Sequence, residues 1–222
     1  MHRFAPGVDY RGPLWVVHLL LTDLALDLGD ACADTVQAWW ASSPANASLE
    51  PPLEVLDRHL RHLTLAAVAV PADTVEVEQL HAALTIGLAD VPPVELTLGP
   101  PLVNDVAIEL YVRPTAALAR LHERVSAAIT RTTGVPPAGG GRAWRPHTAL
   151  AYCRHDVDTH GLQSQLLRTP GPAAGFLEPV TTYGREVALV REETHAQVAD
   201  QRPETTGRRF VWHDATRRIP LR

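Results

Sequence analysis

The chain has 222 residues, of which 45% are hydrophobic, 20% charged and 5% aromatic, with a formal net charge of −5 at pH 7. That length buries a sizeable core, and the balance excludes a disordered chain, a disulfide scaffold (Cys32 and Cys153 are its two cysteines) and a generic basic nucleic-acid coat. The longest apolar run, Leu14 to Leu21, is broken by His18 and falls far short of the ~20 residues of a membrane-spanning helix, and Met1-His2-Arg3-Phe4 lacks the marks of a signal peptide. The expectation is a cytoplasmic monomer with no membrane partner. All 20 basic residues are Arg. A GC-rich genome accounts for that bias, and a planar fork also suits an anion site.

Residues 1–12 read as an irregular arm. Leu14 to Leu20 reads as a buried strand. Asp30 is placed to cap a helix whose inner face carries Val36 and Trp39 or Trp40. Ser42 to Pro52 reads as a loop. Arg61 to Val70 is a strand closed by Pro71. Asp73 and Glu76 have capping-box spacing ahead of a helical stripe of Leu80, Leu84 and Leu88. Val94–Leu98 and Val106–Val112 alternate and form a hairpin. Pro114 suits the first residue of a helix with the stripe Leu118, Leu121, Val125 and Ile129, which Gly134 ends. Val135 to Gly141 is a Pro/Gly loop. Pro146 to Tyr152 is a strand, Asp158 to Arg168 a short helix, and Phe176–Tyr183 and Glu186–Val190 two strands. Arg208 to Trp212 adds an edge strand. Mixed hairpins and single helices argue α+β with largely antiparallel sheets. The whole chain, 1–222, reads as one domain of two halves, each with a His-bearing strand.

Chemistry concentrates on those two strands. Residues two apart share a face of a strand. His62, Thr64, Ala66 and Val68 therefore point one way, and Leu63, Leu65, Ala67 and Ala69 the other. An imidazole beside a hydroxyl suits a phosphate, with His moving a proton and Thr donating to a non-bridging oxygen. His147 opens the second strand, after Arg145-Pro146. Two such histidines across a cleft are what cyclic phosphate chemistry asks for, one activating water and one protonating the leaving oxygen. No metal and no cofactor is expected.

His62-Leu63-Thr64-Leu65 and Arg145-Pro146-His147-Thr148-Ala149-Leu150-Ala151-Tyr152 resemble the paired His-x-Thr-x signatures of the 2H phosphoesterases, nearest to the 2′-5′ RNA ligase and cyclic phosphodiesterase branch. The resemblance spans roughly Leu14 to Trp212. It implies a bilobal α+β fold, with two antiparallel sheets around a central cleft and helices on the outer faces. It also implies hydrolysis of a 2′,3′-cyclic phosphate on an RNA end or nucleotide, leaving a 2′-phosphate, with ligation as the reverse. By position, His62 and His147 become the acid–base pair and Thr64 a phosphate ligand. One departure matters: the second signature's Ser/Thr position is Ala149. A strand bulge that turns Thr148 inward, or Arg145 or Arg61, would compensate. Trp144 is a candidate for base stacking, with rim packing as its other reading, and Tyr152 is a candidate substrate contact.

Other features read more plainly. His59 and His62 point to opposite faces of a strand and make a poor zinc pair. His155 and His160 read as solvated, Gly139-Gly140-Gly141 as a turn, and Cys153 as a structural thiol. Two rival functions remain: a binding module of the same fold without turnover, motivated by Ala149, and a metal hydrolase built on His59 and His62.

Overall fold

In the computed structural model, the described residues are 13–21, 26–43, 46, 53–56, 60–104, 107–138, 144–153, 158–168, 179–194, 210–212 and 217–222. They form ten strands and four α-helices. In chain order these are β1 (Leu14–Leu20), α1 (Leu26–Ala41), β2 (Leu53–Val55), β3 (His62–Ala67), α2 (Val77–Leu88), β4 (Val94–Val103), β5 (Ala107–Val112), α3 (Ala116–Thr133), β6 (His147–Cys153), α4 (Thr159–Arg168), β7 (Val180–Gly184), β8 (Glu186–Thr194), β9 (Phe210–Trp212) and β10 (Arg217–Pro220).

The strands make two five-stranded sheets. One runs β10-β8-β1-β3 with β9 paired to β8, and the other runs β2-β6-β5-β4-β7. Every pairing is antiparallel. Helices α2 and α3 pack together against the first sheet, and α1 and α4 pack together against the second. The architecture is the expected bilobal α+β fold. No helix among the described residues is long and apolar enough to cross a membrane.

Alternation builds the core. Trp15, Val17 and Leu19 of β1, with Leu21 just past its end, face one continuous apolar cluster, which also takes Leu80, Leu84 and Leu88 from α2 and the α3 stripe. Each fully buried Leu contributes about 1.5–3 kcal/mol relative to exposure. The other face of the first sheet carries Leu20, Ala188 and Val190 as a small separate cluster. The sheets meet closely at Gly184, where an added Cβ would come within 2.5 Å of the Leu19 side chain.

Several local expectations shift. Helix α1 starts at Leu26, so Asp30 lies within it and not at its cap. The segment before α2 makes a 3-10 turn over Ala72–Thr74, and Glu76 takes the cap position without a side-chain bond, so the capping box from Asp73 does not form. Helix α3 starts at Ala116, so Pro114 lies ahead of it and is not its first residue; Thr115 caps it, its hydroxyl accepting from the Leu118 N–H at 3.1 Å. Gly134 does end α3, with φ of 73° in the left-handed region where glycine is favoured. Strands β2 and β10 go beyond the sequence expectation, and β8 runs to Thr194, past Val190. The irregular arm, His59, His155, Gly139-Gly140-Gly141, Phe176, Arg208 and Arg209 lie outside the described residues, as does the Cys153 side chain.

Candidate active site

The two motif strands share a construction. In β3, His62 Nδ1–H donates to the Leu60 carbonyl at 2.6 Å. In β6, His147 Nδ1–H donates to the Arg145 carbonyl at 2.9 Å. Both rings thus bond the carbonyl two residues back, which fixes the same tautomer and leaves the lone pair on Nε2. Each strand then bulges at the same offset. Val17 pairs with Ala66 and His18 with Thr64, so Leu65 is the extra residue in β3. Ile108 pairs with Ala151 and Glu109 with Ala149, so Leu150 is the extra residue in β6. The structural equivalent of Thr64 is therefore Ala149.

These bulges also correct the simple alternation. Past Leu65 the pleat shifts by one, and Ala66 and Val68 join the core with Leu63 and Leu65. In β6 the bulge comes after Thr148 and does not turn it inward. Thr148 pairs with the core residue Leu110, is 1% exposed, and its hydroxyl finds no hydrogen-bond partner among the described residues. Its expected phosphate contact is not made in this arrangement. Arg61 is likewise buried and lies within electrostatic reach of Cys32. Burial pushes the Cys32 thiol up to about 12, with the Arg61 charge pulling the other way; such a thiol is inert.

The surroundings of the two histidines differ. His62 is half-buried and lies against His18 of β1, ring centroids 3.9 Å apart. His18 Nε2–H donates to Glu192 Oε2 of β8 at 3.0 Å, and the Thr64 hydroxyl lies 3.3 Å from His18 Nδ1. Burial above all, then the neighbouring His18 and His147, pushes His62 down from 6.5 to about 3, against the opposing pulls of the Leu60 carbonyl and Glu192. His62 is therefore neutral at ordinary pH. The influence of His147 on His62 also places the two motif histidines within electrostatic reach of each other.

His147 is far more open, its side chain 45% exposed. It pairs across the ladder with Tyr111, and its neighbour on the same face, Ala149, pairs with Glu109. Glu109 Oε1 lies 3.6 Å from His147 Nε2, placed to accept from that nitrogen when it carries a proton. The Arg145 side chain is exposed beside it, and Tyr152 is half-buried further along β6.

Trp144 ties the two strands together. Its Nε1–H donates to the Thr64 carbonyl at 3.1 Å, and its ring stacks on His122 at 4.2 Å and an interplanar angle of 4°. His122 Nδ1–H in turn donates to the Leu65 carbonyl at 2.8 Å. One face of the indole is thus committed to packing.

Three site residues escape a reading of the sequence. His18 is visible there only as a break in an apolar run. Glu109 is one polar position of an alternating strand. Glu192 lies beyond the expected end of β8, so nothing in the local pattern aims it at β1.

Residues 29–196 match the family model described as the 2′-5′ RNA ligase superfamily. Among solved structures the fold is similar to that of TT0787 of Thermus thermophilus, with a TM-score of 0.54 and 18% identity, covering 94% of this chain and 97% of that one. It is also similar to E. coli LigT complexed with 3′-AMP, with a TM-score of 0.51 and 17% identity over 95% and 98% of the two chains. No curated protein matches the sequence.

Proposed function

The chain belongs to the 2′-5′ RNA ligase superfamily, and from that premise we propose that it is a phosphoesterase opening a 2′,3′-cyclic phosphate on an RNA end or small nucleotide by two-histidine acid–base catalysis. The observation that carries this reading is the matched pair: two histidines on equivalent strands, each held by the carbonyl two residues back, each offering Nε2.

The asymmetry divides the labour. His62, kept neutral, takes a proton from water as the water oxygen attacks phosphorus in line. His147, with Glu109 behind its Nε2, delivers a proton to the ribose oxygen as the P–O bond breaks. The phosphate competes with His18 for the Thr64 hydroxyl, and Arg145 and Tyr152 border the open side. The E. coli LigT structure with 3′-AMP supports a ligand of nucleotide size. Ligation is the same ring opening with a ribose hydroxyl in place of water: its oxygen bonds phosphorus, its proton passes to the base, and the leaving ribose oxygen takes a proton from the acid.

A second reading, a module that holds a nucleotide or RNA end without turnover, draws on one observation. Where β3 offers Thr64, β6 offers Ala149, and the facing residue there is the carboxylate Glu109. The test is a panel of nucleoside 2′,3′-cyclic monophosphates and a short RNA with a cyclic end, followed by phosphorus NMR. Ring opening to a single phosphate isomer supports the enzyme. Binding with an intact ring supports the module instead.

A further inference from the structure

Strands β8, β1 and β3 lie side by side, and each sends one polar side chain to the same point. A ring nitrogen of His18, a ring nitrogen of His62 and a carboxylate oxygen of Glu192 all lie within 4.8 Å of one another. We propose that His18, His62 and Glu192 form a binding site for a divalent transition cation of the zinc class, and that an ion held there withdraws His62 from acid–base work. The second clause rests on the proposed function; the first does not.

The donor set selects the ion. Two imidazoles and one carboxylate suit zinc, whereas calcium and magnesium want oxygen donors throughout. The outer hydrogen bonds are those of ligating histidines, whose far nitrogen is held by a carbonyl or similar group. His62 Nδ1–H is held by the Leu60 carbonyl, 2.6 Å away. His18 Nδ1 lies 3.3 Å from the Thr64 hydroxyl. If the His18 proton moves from Nε2 to Nδ1, His18 donates to Thr64, and its Nε2 lone pair and the Glu192 carboxylate both turn to the ion. No proton leaves the protein. Three donors fill three positions of a four-coordinate zinc site and would leave the last to water or a phosphate oxygen. His18 is 1% exposed, so its ring needs little ordering to bind.

The experiment is zinc competition against a chromophoric chelator on the full chain. Wild type is expected to take up one equivalent, and His147→Ala to bind equally well. His18→Ala and Glu192→Gln should each weaken binding by at least ~10-fold, the lower end of what losing even an outer-shell partner costs. Zinc should also raise the melting temperature of wild type and not of Glu192→Gln, which keeps the test decisive if His18→Ala fails to fold. No uptake by wild type, or wild-type affinity in folded Glu192→Gln, overturns the site. In the cyclic-phosphate assay zinc should stop turnover and excess chelator restore it; stimulation by zinc overturns the second clause. A chain that binds zinc but opens no cyclic phosphate retains the site and loses the proposed function.

Discussion

The β3 and β6 motif strands are built alike and surrounded differently. Both carry a histidine, a backward hydrogen bond to the carbonyl two residues before, and a bulge three residues on. Around His62 the neighbours are the ring of a second histidine, His18, and a carboxylate bonded to that histidine. Around His147 they are solvent and a carboxylate at Nε2 itself. The shared frame fixes where each Nε2 lies, and burial beside His18 keeps the His62 ring neutral. A near-symmetric backbone thus sets two histidines in unlike surroundings, the basis of the division of labour proposed for them.

The sharpest way to probe the comparison is to exchange what differs. Thr64→Val should lower kcat/KM by on the order of 10²-fold, the cost of one preorganised donor to a charged oxygen. Ala149→Thr, which restores the hydroxyl to the equivalent position, should raise it by about 10-fold or more. Steady-state kinetics on a nucleoside 2′,3′-cyclic monophosphate read both. An unchanged rate in Ala149→Thr would mean that Glu109, not the lost hydroxyl, governs that subsite.

Thr148 makes the companion control. Its buried hydroxyl has no partner among the described residues. Thr148→Val is therefore expected to leave turnover unchanged and to hold or raise stability by up to ~1 kcal/mol, because an unsatisfied polar group is removed at constant shape. Loss of turnover in this variant would place Thr148 in the site after all.

Stability against pH reports on the burial of His62. His62 sits at about 3 in the folded chain against 6.5 ordinarily. The unfolded chain therefore binds the extra proton between those values. The stabilisation tied to a neutral His62 is complete above about pH 6.5 and is lost as pH falls toward 3. Between about pH 7.5 and about pH 5, the urea midpoint should fall further for wild type than for His62→Gln. Equal pH dependence in His62→Gln would assign the loss to another group.

A purely structural effect concerns how the sheets meet. Gly184→Ala forces a methyl onto Leu19 and should cost about 1–3 kcal/mol, seen as a lower melting temperature. A neutral result would show that Leu19 has room to move.

Much of this is legible in the sequence because it obeys local periodicity. The core face of β1, the leucine stripe of α2, the Gly134 stop and the two histidine strands all follow from period 2 or 3.6. The bulges do not show, because a bulge is defined by the register of the partner strand. That is why strict alternation puts Ala66 and Val68 on the wrong face, and why a bulge turning Thr148 inward stays open until the register with β5 places it at Leu150. His18 is hidden for a related reason. A single histidine in an apolar strand reads as an interruption until β3 and β8 bring His62, Thr64 and Glu192 beside it.

The central claim is that His62 and His147 act as one acid–base pair. Its most direct test is the initial rate of ring opening of a nucleoside 2′,3′-cyclic monophosphate, with chelator present, for wild type, His62→Ala and His147→Ala. The account predicts turnover by wild type and a fall of about 10²–10⁴-fold in each variant, the range for loss of a positioned acid or base. Wild-type rates in either variant would contradict it.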